Sequence, residues 1–367
     1  CHACETPRLT LVAELLAKEA ATVLANEAYP SDEAIRRYVR HTGSGVHLSI
    51  CAWNYPTAML GYLVMHPVIA EIAEEAFRAA GGPDGVFQAL HLSHPDAERL
   101  IGAGTFTAVN FIGSVAGGRR VHAAAAGTFT DVHLELGGKD PAYVRADADI
   151  ALAAADIAEG SYSNAGQSCC SVERIYVDAA VHDQFVDALV AATETWTLGH
   201  PIKEKPMVGP VVRASAAEQI RAMTDAAVAS GARRLMPADR SKTTAMGPTY
   251  VAPDVLVGVD HSMQIMRDEL FGPIACVQKV SGDDEALKLM NDSSYGLSAS
   301  VWTGDIERGV ALADEVEAGT VYVNRCDHAD LYLPWGGVKN SGIGRTNGRA
   351  GLLDASVLKA YHVRSAA

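Results

Sequence analysis

The chain has 367 residues, 49% of them hydrophobic and 20% charged, with a formal net charge of −14. That length and composition suit two domains of ordinary size with real cores and exclude a disordered chain. The acidic balance disfavours a nucleic-acid surface, which needs a basic patch, and suits a soluble protein kept dispersed by charge.

Seven cysteines are scattered along the chain. The odd count and large size argue against a disulfide scaffold and for a reducing compartment, which predicts a cytoplasmic protein. Cys1-His2-Ala3-Cys4 has the spacing of half a zinc site, but no second ligand cluster accompanies it, so no metal is expected. No apolar run reaches membrane-spanning length and no basic-then-apolar leader is present, so no membrane partner is expected. The chain does not begin with Met, and the expectation is that the native N-terminus lies upstream of Cys1.

From Arg8 to Ala28 the apolar residues Leu9, Val12, Leu16, Ala20 and Val23 recur at threes and fours, which predicts a helix. The stretch 36–41 fits helix or strand equally. Val46–Cys51 is largely apolar behind Gly43 and Gly45 and reads as a strand. Pro56 suits the first turn of a helix running to about Met65. A second helix is predicted over Val68–Ala80, ended by Gly81-Gly82-Pro83, and a short strand over Val86–Leu92. This spacing breaks a rule. Parallel strands alternate with single crossover helices, yet two helical patterns and no strand separate the strand near residue 50 from the one near 88. A helix end, a strand and its turn would need roughly 15–20 more residues. A segment near Pro67 is therefore expected to be missing.

Alternation then resumes. A helix is predicted over Pro95–Ile101, a strand over Thr105–Phe111, a helix over Gly117–Ala126 and a strand over Thr128–Leu134. The turn Phe111-Ile112-Gly113-Ser114-Val115-Ala116-Gly117-Gly118 joins strand to helix. It is not the G-x-G-x-x-G fingerprint, and it reads either as a plain turn or as a place where backbone N–H groups approach a phosphate. A second α/β region follows from about Lys139 to Tyr332. Its helices are predicted near 149–163, 181–195, 215–230, 283–292 and 306–317. Its strands are predicted near 142–145, 174–178, 274–280, 299–303 and 320–324. The tail, Val357–Val363, reads as an edge strand, and edge strands seek partners.

Four stretches carry chemistry. Asn164-Ala165-Gly166-Gln167-Ser168-Cys169-Cys170 is a polar, glycine-bearing turn that delivers a cysteine pair just before the strand Val172–Val177. A thiol there is a nucleophile if its surroundings favour the thiolate, and otherwise a small buried hydrophobe. Ala52-Trp53-Asn54-Tyr55-Pro56 offers a neutral amide, which fits an oxyanion donor or a helix cap. Leu134-Glu135-Leu136-Gly137-Gly138-Lys139 sets a carboxylate between apolar neighbours, where its pKa can rise enough for a base on water. Glu269-Leu270-Phe271-Gly272-Pro273 fixes a turn before the strand 274–280.

These four stretches, in this order, resemble the aldehyde dehydrogenase superfamily, and the match runs from about Val46 to Arg364. The resemblance implies an α/β fold with a Rossmann-like NAD(P)-binding domain over 1–136, a catalytic domain over 137–332 and small oligomerisation strands at 36–45 and 355–367. It implies Cys169 as nucleophile, two residues after Gln167, with Cys170 pointing away. Asn54 and the backbone N–H of Cys169 would hold the oxyanion, and Glu135 would be the general base. Trp53, Gly113, Ser114, Leu136, Glu269 and Phe271 would contact the cofactor, NAD or NADP. Glu269 would meet the nicotinamide ribose and Phe271 the ring. Trp335-Gly336-Gly337-Val338-Lys339-Asn340-Ser341-Gly342 resembles the family's C-terminal loop, with Trp335 placed at the substrate entrance. Cys51 and Cys276 are expected in the core.

The implied reaction oxidises an aldehyde to a carboxylic acid through a cysteine thiohemiacetal and a thioacyl enzyme. The implied assembly is a homodimer or homotetramer. One departure counts against this: the family's lysine on the adenine side of the cofactor belongs to the strand that is missing near Pro67. Two alternatives remain, a cysteine thiol hydrolase or acyltransferase, and a non-catalytic homologue left by a genuine deletion. The first would need a histidine beside the thiol, and none of the 13 histidines adjoins Cys169 in sequence.

Overall fold

A computed structural model describes residues 2–50, 52–55, 67–237 and 243–364. The expected helix over Pro56–Met65 and the expected core position of Cys51 lie outside the described residues.

In chain order the first elements are α1 (His2–Val23), β1 (Glu27–Tyr29), β2 (Ile35–Gly43), β3 (His47–Ile50), α2 (Pro67–Ala79) and α3 (His94–Gly102). Then come β4 (Ala108–Ile112), α4 (Val115–Ala125), β5 (Asp131–Glu135), β6 (Asp140–Val144), α5 (Ile150–Tyr162) and β7 (Val172–Asp178). Next are α6 (His182–Thr195), α7 (Ala214–Ala229), β8 (Arg233–Arg234), β9 (Asp254–Val257), β10 (Ile274–Val280) and α8 (Asp283–Asn291). The last are β11 (Ser298–Trp302), α9 (Ile306–Ala313), β12 (Thr320–Val323), β13 (Gly342–Ile343), α10 (Gly348–Asp354) and β14 (Ser356–Arg364). These fall into two compact units, one of Cys1–Leu136, Ala329–Gly336 and Gly342–Ala367, the other of Gly137–His328 and Gly337–Ser341.

The first unit holds a four-stranded sheet in the order β13-β5-β4-β3, in which β3, β4 and β5 run parallel and β13 antiparallel. Its core is Leu48, Val109, Leu134 and Leu136 against Ile101, Phe106 and Val121. Helix α3 starts where the Ser93 side chain accepts the Asp96 N–H, with Pro95 in its first turn.

Two expectations change here and one open reading is decided. Residues 86–92 form no strand, because a strand exists through its ladder and no described strand pairs with that backbone. The stretch 36–41, which fitted helix or strand, is strand: β2 pairs with β1 and, over nine residue pairs, with β14. The helix predicted to run to Ala28 stops at Val23, and Glu27–Tyr29 joins the small sheet instead.

The second unit is built on a seven-stranded sheet in the order β12-β11-β6-β7-β10-β9-β8, parallel except for β8. Its central strands β6, β7 and β10 are buried over most of their length, with apolar residues on both faces. Ile175, Val177, Ala275 and Val277 are wholly enclosed among Ile157, Phe185 and Leu189 of the flanking helices. Cys276 lies in this core as expected. The sheet's order brings β6, β7 and β10 side by side, with β7 in the middle.

Candidate active site

In the first unit the candidate residues follow the carboxyl ends of three adjacent parallel strands. That is where open α/β sheets place ligand sites, because the connecting loops diverge there. Asn54, which is buried, and Trp53, which is exposed, follow β3. Gly113 and Ser114 follow β4, and Glu135 is the last residue of β5, with Leu136 next. The register Ile50–Phe111 and Ile112–Glu135 sets these ends level, and the Gly113 N–H donates to the Glu135 carbonyl at 3.1 Å.

The turn after β4 opens helix α4. Ser114 is its N-cap, and its hydroxyl accepts the Gly117 N–H at 3.2 Å. The first turn of a helix has N–H groups with no partner within the helix, which suits an anion. The Phe111 ring lies over this turn, so a Cβ at Gly113 or Gly117 would fall 2.7 or 2.6 Å from it. Leu136 packs on α4, where a Cβ at Gly118 would meet its side chain at 2.6 Å. A cavity of about 960 Å³ extends beside these residues, lined in part by Leu48, Ile50, Phe111, Ser114, Gly117 and Val121. A capped helix start, small residues and a large cavity at the strand ends fit the phosphate-bearing half of a dinucleotide. No strand carrying the expected lysine is found among the described residues.

Burial pushes the Glu135 carboxyl up to about 7, only partly countered by the indole N–H of Trp335, which donates to its Oε1 at 2.5 Å. Trp335 was expected at a substrate entrance. It is buried instead, paired with Thr346 across a β-bridge and hydrogen-bonded to the candidate base.

In the second unit the candidate residues precede the amino ends of β6, β7 and β10. Gly137–Lys139 leads into β6, the cysteine loop into β7, and Glu269–Pro273 into β10. The cysteine loop is an unusual backbone. Asn164, Ala165 and Gly166 are all left-handed, with φ of 53°, 60° and 71°. For an alanine this costs about 1–2 kcal/mol, so the surroundings must enforce it. They do so through Gln167. Its side-chain Nε2 donates to the Asn164 carbonyl at 2.9 Å, Asn164 Nδ2 donates back to the Gln167 carbonyl at 3.2 Å, and the Val212 N–H donates to Gln167 Oε1 at 2.7 Å.

The three segments interlock. A Cβ on Gly138 would lie 2.2 Å from the Cys169 carbonyl oxygen, and one on Gly166 2.3 Å from the Gly272 carbonyl carbon. Only glycine permits either approach. Cys169 is partly exposed and Cys170 buried.

The two thiols do not diverge as expected. They stay within hydrogen-bond reach of each other, and the Cys170 Sγ also donates to Asp327 Oδ1 at 2.9 Å. The bond to Cys169, burial and the Asp327 charge together hold the Cys170 thiol well above its usual range, so it stays protonated. Its partners are Cys169, Ser168 and Asp327.

Glu269 accepts the Gly138 N–H at 3.1 Å, and burial followed by the charge of Glu173 pushes its carboxyl up to about 8. Phe271, next but one, is left-handed with φ 54°. Three residues that the sequence did not single out bear on this unit: Glu173, Asp327 and the buried Arg174, whose Nε donates to the Lys139 carbonyl at 2.8 Å. Glu173-Arg174 beside the apolar run Ile175-Tyr176-Val177 was the available signal, since charges are seldom buried without a partner. Among the described residues no group of His, Cys, Asp and Glu side chains is arranged to hold a metal ion. No described helix is long and apolar enough to cross a membrane.

Comparison with known proteins agrees with this geometry. Residues 2–361 match the model of the aldehyde dehydrogenase family. The chain is 37% identical over 329 residues to vanillin dehydrogenase of Pseudomonas fluorescens, covering 84% of this chain and 67% of that one. It is 33% identical over 345 residues to betaine aldehyde dehydrogenase of Mesorhizobium japonicum, covering 89% and 71%. The fold superposes on the crystal structure of an NAD-dependent aldehyde dehydrogenase from Sinorhizobium meliloti with a TM-score of 0.90 at 31% identity, covering 97% of this chain and 74% of that one. The chain belongs to the aldehyde dehydrogenase family.

Proposed function

We propose that the protein oxidises an aldehyde to the carboxylic acid with NAD or NADP, with Cys169 as the nucleophile. The observation that carries this reading is the interlock of Gly138 with the Cys169 carbonyl and of Gly166 with Gly272. It packs the thiol loop directly against both the Gly137–Lys139 and the Glu269–Pro273 turns.

The Cys169 thiolate adds to the aldehyde carbon and forms a thiohemiacetal. The developing oxyanion is held by the Asn54 amide and the Cys169 N–H, neutral donors that need no titration. NAD or NADP, when held there, would supply the hydride acceptor for this carbon. Glu269 offers a carboxylate to ribose hydroxyls and Phe271 an apolar face to a planar ring, while Ser114 and the start of α4 offer N–H groups to phosphate. Trp53, Gly113 and Leu136 complete these contacts. Glu135, its carboxyl pushed up to about 7 by burial, takes a proton from water as it attacks the thioacyl carbon, which releases the acid and the thiol.

The substrate is a small aldehyde. The two relatives named above carry an aromatic aldehyde and a quaternary ammonium aldehyde in their names, and these are the first two to test. Cys169, Cys170, Cys276 and Cys326 are free thiols, which suits the reducing cytoplasm. The assembly is a homodimer or homotetramer that forms through β14. This strand lies at the edge of its sheet, and Val357 and Leu358 are exposed on it. The deciding experiment follows reduced nicotinamide spectroscopically with vanillin and betaine aldehyde, for wild type and Cys169→Ala. Wild-type turnover that the variant lacks supports the reading, and equal turnover ends it.

A further inference from the structure

We propose that Glu173 is a positioning residue for the nicotinamide nucleotide: its carboxylate, anchored by Lys139, ties down the left-handed turn that presents Glu269 and Phe271. The proposal rests on the reading of those two residues as cofactor contacts and goes beyond it.

Glu173 is the second residue of β7, and only 2% of its surface is exposed. Every neighbouring position of the strand is buried as well, so an apolar residue would serve the core better. What the carboxylate gains is four hydrogen bonds from two separate segments. Its Oε2 accepts Lys139 Nζ at 2.5 Å and the Leu270 N–H at 2.9 Å. Its Oε1 accepts the Phe271 N–H at 2.8 Å and shares the Leu270 N–H at 3.2 Å.

The sheet makes this possible. Lys139 precedes β6 and Phe271 precedes β10, while β7 lies between the two strands. A carboxylate at the start of β7 therefore reaches both loops. Phe271 has no side-chain reason to be left-handed, and phenylalanine rarely is. A charge-assisted bond to its own N–H offsets that cost. Lys139 is itself fixed, because Arg174 bonds its carbonyl. The clamp thus runs from Arg174 through Lys139 and Glu173 to the turn, and it aims the Glu269 carboxyl at the Gly138 N–H.

Glu173 also acts on Glu269 by charge. The groups that face the Glu269 carboxyl are Glu173, Lys139 and the Gly138 N–H, and the Tyr295 hydroxyl bonds the Glu269 backbone. Burial and Glu173 raise the Glu269 carboxyl, while Gly138 and Lys139 lower it. If ionised Glu269 accepts the ribose hydroxyls, nucleotide affinity strengthens as pH rises through about 8. Neutralising Glu173 should move that inflection to lower pH.

The test measures NAD+ and NADP+ binding by fluorescence across pH, together with steady-state kinetics and melting temperature. It uses wild type, Glu173→Gln, the paired apolar variant Glu173→Met with Lys139→Met, Glu173→Asp, and Phe271→Ala and Glu269→Ala as references. Glu173→Gln is expected to weaken nucleotide binding about tenfold, to raise the nucleotide KM more than it lowers kcat, and to shift the pH inflection down. The paired variant should melt close to wild type, because apolar replacement of a buried ion pair is often neutral, and yet bind nucleotide as weakly. Should it fail to fold, Glu173→Asp gives the same comparison, with the ion pair kept and the reach to Phe271 lost.

Wild-type binding in the Glu173 variants alongside weakened binding in Phe271→Ala overturns the proposal. So does a Glu173→Gln defect that falls equally on KM and kcat with the inflection unmoved, which marks a merely structural role. Unchanged binding in both Phe271→Ala and Glu269→Ala instead overturns the reading of the cofactor contacts, and the proposal falls with it.

Discussion

Trp335 donates its indole N–H to Glu135 Oε1 at 2.5 Å, across 200 positions of sequence. The bond favours the ionised carboxylate, while burial favours the protonated one, and burial prevails. A base must be ionised to act, so activity should rise with pH through about 7. Trp335→Phe removes the donor and keeps the bulk. The acidic limb of the kcat profile should then move up by about one pH unit, since a hydrogen bond to a charged group is worth about 1.5 kcal/mol. A limb that stays in place would show that Glu135 is not the group being titrated.

Glu135 also ties stability to pH. Its carboxyl has a higher pKa in the folded chain, about 7, than its ordinary 4.5. Between those values the native state holds the proton that the unfolded chain has lost, so stability falls as pH rises from about 4.5 to about 7 and stays lowered above. The cost is at most about 3 kcal/mol. Glu135→Gln should therefore melt later than wild type at pH 9 and with no difference at pH 4, as calorimetry would show, while losing turnover.

The cysteine pair should separate chemically. Cys170 is buried and keeps its proton, so of the pair iodoacetamide at neutral pH should label Cys169 and not Cys170, as fragmentation of the shared peptide in mass spectrometry would read. Cys170→Ala should keep most of its turnover, and Cys169→Ala none, with unchanged melting in the second case. Label on Cys170 would reverse the assignment.

Asn54→Ala should lower kcat about 100- to 1000-fold, the usual loss when one oxyanion donor is removed. Asn54→Asp should do at least as much harm, because a carboxylate repels the charge it would face. A change confined to KM would argue for a capping role.

Gly138→Ala tests the interlock. Its Cβ would fall 2.2 Å from the Cys169 carbonyl oxygen, which is backbone and must be displaced. A shift of the nucleophile of about 1 Å costs about 100-fold in rate. Turnover and the rate of Cys169 alkylation should fall together.

Much of this protein was legible in its sequence. The β–α alternation from Thr105 onward and the strand-end turns at 111–118, 134–139, 164–170 and 269–273 are local patterns, and each residue's period or turn chemistry lies within a few positions of itself. The close approach of Gly138 to the Cys169 carbonyl and of Gly166 to Gly272 was not legible there, because the partner lies in another segment. Tertiary structure decided the rest, because the contacts join distant segments. Residues 86–92 have the apolar content of a strand but no ladder, and 36–41 is a strand because Ser356–Arg364 pairs with it. Trp335 is a partner of the candidate base rather than a wall of the entrance. Glu173 looked like one more strand residue until the sheet placed β7 between the loops that lead into β6 and β10. A buried charge has meaning only through its partners, and those lie 34 and 97 positions away.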